Sequence, residues 1–177
     1  MSSEKFKSYI LDTVELLKRQ AIEAKKDADN PKEGFEEFVQ GVIMGYYSII
    51  NLLKHQAFVF CIDQKELGLS DIKPDIDLLG LHRKHDVDFG EDNWAIDIMS
   101  EEKIKGYLTD SIKLLKEQAI EAKKDADNPK EGSEDYSRGE LRAYHKAIST
   151  MKNQASLFDL DQAEFSLSRI EPDRDLV

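Results

Sequence analysis

A short charged stretch, HRKHDVDFGED, carries the side chains in this sequence that are best suited to metal binding. His82 and His85 lie three residues apart, and Asp86 and Asp88 follow closely. Two imidazoles and two carboxylates form a ligand set that Zn²⁺ accepts. A His-x-x-His spacing is also common by chance in a charged loop, so His82 and His85 are only weak metal candidates. We expect no metal site and no cofactor.

A second stretch, DADNPKEGFEEF, resembles a calcium loop only at its start. Asp27 and Asp29 occupy the first two ligand positions, but Pro31 and Lys32 stand where an oxygen ligand and the obligatory glycine are needed. Phe38 replaces the bidentate glutamate that closes such loops. This spacing therefore does not predict a calcium site.

Nucleophilic chemistry has little support in the sequence. Cys61 is the only cysteine and lies at an apolar helix end, where a buried and unreactive thiol is usual. The chain has no Gly-rich phosphate loop, no nucleophile elbow and no Glu-x-x-His pair for a di-metal helical bundle. We expect a protein that is not an enzyme.

The sequence contains an internal duplication, and the elements of its two repeats must position any functional site. Adding 98 to each position from Glu4 to Leu79 gives its partner between Glu102 and Val177, without a gap, and 41 of these 76 pairs are identical. The segment QAIEAKKDADNPKEG occurs twice unchanged. The sequence thus divides into a first repeat (1–79), a linker (80–101) and a second repeat (102–177).

Each repeat has the pattern of two long helices and a short tail. Apolar residues recur every three or four positions, which is the period of an amphipathic helix. Asn30-Pro31 and Asn128-Pro129 end the first helix of each repeat, because a residue before proline disfavours the α conformation. We predict an all-α protein in which two helical hairpins pack as a pseudo-twofold four-helix bundle, with both C-terminal tails folded onto it.

A single hairpin followed by a PDxDL-type tail, here PDIDL and PDRDL, resembles short bacterial helical proteins of unknown activity. The resemblance covers both repeats and implies no activity.

Polar residues recur beside the apolar seams of both repeats. They are tyrosines and glutamines, and they are placed to line a small-ligand pocket between the hairpins or to lie at the edge of the core with their polar ends satisfied. The set is Tyr9, Gln20, Tyr46, Gln56, Tyr107, Gln118, Tyr144 and Gln154.

The second helix of the first repeat is apolar nearly all round. Val42, Ile49, Leu52 and Val59 form an extra stripe whose counterparts in the second repeat are mostly polar or small. Three alternatives could bury this stripe: the linker segment NWAIDIM, a second copy of the chain, or a foreign protein.

Composition limits the classes of partner. The net charge is −11, and acidic and basic residues are interleaved, so no basic stripe favours nucleic acid. The longest apolar run is too short to cross a membrane, and the single cysteine favours the cytoplasm.

We expect a non-enzymatic protein–protein interaction module of the immunity or adaptor type. The alternative is a metal- or small-ligand-binding enzyme or sensor with a pocket between the hairpins. The repeated segment itself has two explanations, recent duplication or a surface that a symmetric partner binds twice.

Overall fold

Helices account for all the regular structure in the residues that the computed structural model describes, which are 3–81 and 100–177. Six are α-helices, four of them long and two of a single turn: α1 (Ser3–Asp29), α2 (Glu36–Val59), α3 (Pro74–Asp77), α4 (Glu101–Asp127), α5 (Glu134–Leu157) and α6 (Pro172–Asp175). Two short 3₁₀ helices span Gln64–Leu67 and Leu167–Arg169. The predicted all-α class is therefore confirmed for these residues. None of their helices has the length and apolar character that a membrane-spanning segment requires.

Local sequence signals explain where the long helices begin and end. The Ser100 hydroxyl caps α4 by accepting a hydrogen bond from the backbone N–H of Lys103, at 3.2 Å. After each Asn-Pro pair the chain turns through a glycine with positive φ, Gly34 at +83° and Gly132 at +79°. The next helix starts two residues later in both halves.

The close contact between α2 and α5 sets the arrangement of the bundle. A Cβ atom placed on Gly41 would lie 2.0 Å from the carbonyl oxygen of Tyr136 and close to Glu140. One turn further on, Gly45 faces Glu140 and Ala143. The contacts advance along both helices together, so α2 and α5 run side by side in the same direction. Helices α1 and α4 pack against this central pair, each also touching the other half.

The tails fold back along the helices, as predicted. Ile72 and Leu78 of the first tail are buried in the core, and so are Ile170 and Leu176 of the second. Two half-buried lysines help to hold the tails by donating hydrogen bonds to tail carbonyls. These are Lys54 Nζ to the oxygens of Leu69 and Ile72, and Lys152 Nζ to the oxygen of Ile170.

Candidate functional site

The tyrosines and glutamines that recur in both repeats were the first candidates for a site, and four of them form two hydrogen-bonded pairs. The Tyr46 hydroxyl donates to Gln20 Oε1 at 3.1 Å, and the Tyr144 hydroxyl donates to Gln118 Oε1 at 3.3 Å. Each pair joins the two long helices of one half. Burial raises the pKa of Tyr144 to about 12 and raises that of Tyr46 further, so both hydroxyls stay protonated and act as donors.

Tyr9 and Tyr107 link the two halves instead. The Tyr9 hydroxyl donates to the backbone oxygen of Met151, and the Tyr107 hydroxyl donates to that of Leu53, both at 3.3 Å. Both rings are buried, and burial raises the pKa of both hydroxyls well above the ordinary tyrosine value. These contacts fix the bundle and leave the hydroxyls committed to backbone acceptors.

The eight residues do not surround a common pocket. Gln56 is buried in α2, Gln154 is half-buried in α5, and Gln118 is exposed. None of the eight lines either of the two surface depressions that stand out in the described part of the chain. Six of the eight residues use their polar ends in the hydrogen bonds described above.

The predicted apolar stripe on α2 is not one surface. Ile49 is fully buried and Leu52 nearly so, and both belong to the core, which corrects their placement on a partner-binding face. The reason is that α2 contacts α1, α4 and α5, so the bundle itself covers a second face of this helix. Val42 is partly buried against the core, and only Val59, at 54% exposure, is open to solvent.

Two predicted features lie outside the described residues. They are the metal candidates His82 and His85 and the linker segment NWAIDIM, which was one possible cover for the stripe. Within 3–81 and 100–177, histidine, cysteine and acidic side chains form no group of three or more with the proximity that a metal site requires. Cys61 is exposed rather than buried, because the chain leaves α2 at this residue in a left-handed turn with φ of +49°.

Both interhelical turns lie at the same end of the bundle. Because α2 and α5 run in the same direction, the turns that precede them, residues 30–35 and 128–133, lie at the same end. A shared depression of about 340 Å³ confirms this placement, since the start of α2 and the second turn both border it. Its walls are Glu36, Glu37, Gln40, Gly132, Ser133 and Tyr136.

An exposed aromatic ring lies at the end of the bundle that carries both turns, which we call the turn end. Phe35 is 55% exposed and packs edge-on against Phe38, with ring centroids 6.5 Å apart and planes at 90°. The equivalent residue in the second half is Ser133, whose hydroxyl donates to the Lys130 carbonyl. Sequence reasoning missed Phe35 as a surface candidate, although the Phe-to-Ser difference directly after two identical segments was a visible signal.

No protein family, curated protein or solved structure matches this chain. The turn end, defined as both copies of the repeated turn with Phe35, is the surface that combines exposure, repetition and an apolar group.

Proposed function

We propose that this chain is a non-enzymatic protein-binding module of the immunity or adaptor type, and that it binds its partner through the turn end. The observation that carries the proposal is that two identical 15-residue segments end in turns that differ only at Phe35 and Ser133, and that both turns lie at the same end of the bundle. A partner with twofold symmetry, or with two similar elements, would find the same side chains presented twice there.

Folding requirements account for only some of the identical residues. Ala21 and Ala24 pack in the core, and the glycine at the turn needs its positive φ. The side chains of Lys26, Lys32 and Glu33, by contrast, are exposed and have the same residue type in the second half. Packing does not demand that identity.

The same helices diverge at exposed positions away from the turn end. Glu15 and Arg19 of α1 correspond to Lys113 and Glu117 of α4, so both charges are reversed. Identity is thus concentrated toward the end of the bundle that carries both turns, which is the distribution expected of a binding surface used twice.

We further propose that the halves are tandem copies of one hairpin, related by a pseudo-twofold axis that follows α2 and α5. Equivalent contacts support this arrangement. A Cβ placed on Gly41 would lie 2.0 Å from the Tyr136 carbonyl oxygen, and a Cβ placed on Gly139 would lie at the same distance from the Phe38 carbonyl oxygen. The hydrogen bonds of Tyr9 and Tyr107 across the halves repeat in the same way.

Charge reversal at the turns tests the proposed surface. A partner isolated with the immobilised wild-type chain would be purified, and its affinity measured by calorimetry against Lys32→Glu, Lys130→Glu and the double variant. We expect each single change to weaken binding at least about tenfold, because a like charge opposite a partner's acidic group costs more than about 1.4 kcal/mol. Phe35→Ser, which copies the second half, should also weaken binding by removing an aromatic anchor.

Lys146→Glu is the matched control, since Lys146 is exposed on α5 outside both repeated segments. It should leave the affinity within about twofold of the wild type. A purified partner that binds the double turn variant as tightly as the wild type, or that is lost only in the control, would overturn the proposed surface.

A further inference from the structure

A lysine on α1 is neutralised by the tail of its own half. Lys18 is 8% exposed, and its Nζ donates to both carboxylate oxygens of Asp71, at 2.7 and 2.8 Å, and to the Gly68 carbonyl at 2.9 Å. Glu15 lies 3.2 Å from the same Nζ. Burial opposes the charged form of Lys18, but the hydrogen bonds to Asp71 and Glu15 outweigh it and raise the pKa.

The equivalent lysine on α4 has the opposite surroundings. Lys116 Nζ donates to the Ser166 carbonyl at 3.2 Å, as Lys18 does to Gly68. Ser166 keeps the left-handed conformation of that glycine, with φ of +67°, so the turn presents its carbonyl in the same way. The positions of the two acids, however, are now Lys113 and Arg169.

Because basic residues replace both acids in the second half, the positive charges of Lys113, Lys116 and Arg169 have no acidic partner in the described part of that half. Burial lowers the pKa of Lys116, and the charge of Arg169 lowers it further. Within the described residues, no acidic side chain forms an ion pair with Lys113, Lys116 or Arg169. Asp110 and Glu117 are exposed on α4 within one turn of Lys113, so the three basic residues outnumber the two neighbouring acids. The group is therefore cationic in a chain whose net charge is −11.

We propose that Lys113, Lys116 and Arg169 form a binding site for a small phosphate-class anion, which the first half lacks. An arginine guanidinium binds phosphate oxygens through two parallel N–H groups, and ammonium groups add point charges. Lys116 is partly withdrawn from water, so its interaction with an anion is less screened than that of a free surface lysine. This inference is independent of the proposed protein-binding function.

Titration with inorganic phosphate, followed by ¹H–¹⁵N NMR at constant ionic strength set with sodium chloride, tests the site. We expect saturable shifts in the amides of Lys116 and of residues 166–170, and no comparable shifts at residues 18 and 68–72. Phosphoethanolamine serves as a small organic ester. Equal shifts would mean that the site binds the phosphate group alone, and larger shifts would mean that it binds phosphorylated organic molecules.

The duplication supplies variants with a known alternative geometry. Arg169→Asp rebuilds the ion pair seen at Lys18, so the protein should fold while the phosphate-dependent shifts fall at least tenfold at a fixed concentration. Lys113→Glu should reduce them independently. The reciprocal change, Glu15→Lys with Asp71→Arg, should create phosphate-dependent shifts at residues 68–72.

Two results would overturn the site. One is a set of wild-type shifts that increases linearly with phosphate and is reproduced by chloride. The other is a saturation curve that Arg169→Asp leaves unchanged.

Discussion

Replacing the two glycines where α2 and α5 touch should destabilise the protein, and the two changes should not be independent. A Cβ on Gly41 would lie 2.0 Å from the Tyr136 carbonyl oxygen, and one on Gly139 would lie 2.0 Å from that of Phe38. Both obstructing atoms belong to helix backbone, so no side-chain rotation relieves the overlap. The helices must separate by about 1 Å before the contact reaches the 3.0 Å that real Cβ atoms keep.

The size of the effect follows from that separation. A gap of about 0.5–1 Å removes a quarter to a half of the dispersion attraction between facing atoms, and forced overpacking typically costs about 1–3 kcal/mol. Alanine is a better helix former than glycine by about 1 kcal/mol, which offsets part of the loss. We expect Gly41→Ala and Gly139→Ala each to lower the free energy of unfolding by about 1–2 kcal/mol.

The coupling between the two sites is the more specific expectation. One separation of α2 from α5 relieves both overlaps, so the second substitution should cost less than the first. The double variant should fall short of the sum by about 0.5–2 kcal/mol.

Urea unfolding of the two single variants and the double variant, followed by circular dichroism, measures this double-mutant cycle. Gly106→Ala is the matched control, because this helical glycine faces the ring of Phe60 rather than backbone. A Cβ there would lie 2.8 Å from one atom of this half-buried ring, and a small shift of the ring relieves that overlap without moving a helix, so Gly106→Ala should cost less than either change at the α2–α5 contact. Additive effects, or single variants as stable as the control, would refute the close packing of α2 on α5.

Two further perturbations test the contacts within the bundle. Tyr107→Phe removes the buried donor to the Leu53 carbonyl and should cost about 0.5–1.5 kcal/mol in urea unfolding; an unchanged midpoint would contradict that hydrogen bond. Asp71→Asn should cost less than about 1 kcal/mol at pH 7, because the carboxylate is largely exposed and screened. The hydrogen bond from Lys18 lowers the pKa of Asp71, so this stability is present above the unfolded value near 3.9 and is lost as pH falls through the folded value. Wild type and Asp71→Asn should therefore converge in stability as pH falls below the folded pKa of Asp71, and a constant difference across the acid range would contradict the ion pair.

Local features of the sequence were sufficient for the helices and their ends. The spacing of three and four predicts α1 and α4, and the Asn-Pro and glycine pairs predict the turns, because these signals act within a few residues of chain. Gly41 and Gly139 are a further local signal, since few reasons other than a close helix contact favour glycine inside a helix.

Features that depend on packing between the halves were not predictable in the same way. The sequence of a single helix does not specify how α2 is oriented relative to α5. The burial of Ile49 and Leu52 by the opposite half could therefore not be derived from a helical wheel. For the same reason the sequence placed Tyr9 and Tyr107 beside the apolar seams but did not predict their hydrogen-bond acceptors, which lie in the other half.

The contact between Gly45 and Ala143 has a consequence for how this chain differs from a pair of identical chains. These residues occupy equivalent positions, and a Cβ on Gly45 would lie 2.5 Å from that of Ala143. Two identical chains packed in this way would have to carry glycine twice, losing helix propensity on both sides, or alanine twice, with an overlap. In a single polypeptide the two positions are encoded separately. Gly45 on α2 therefore leaves room for the contact, while Ala143 on α5 retains the higher helix propensity. The same freedom lets one lysine retain its acidic partners while its counterpart loses them, and a gene for a homodimer could not specify that difference.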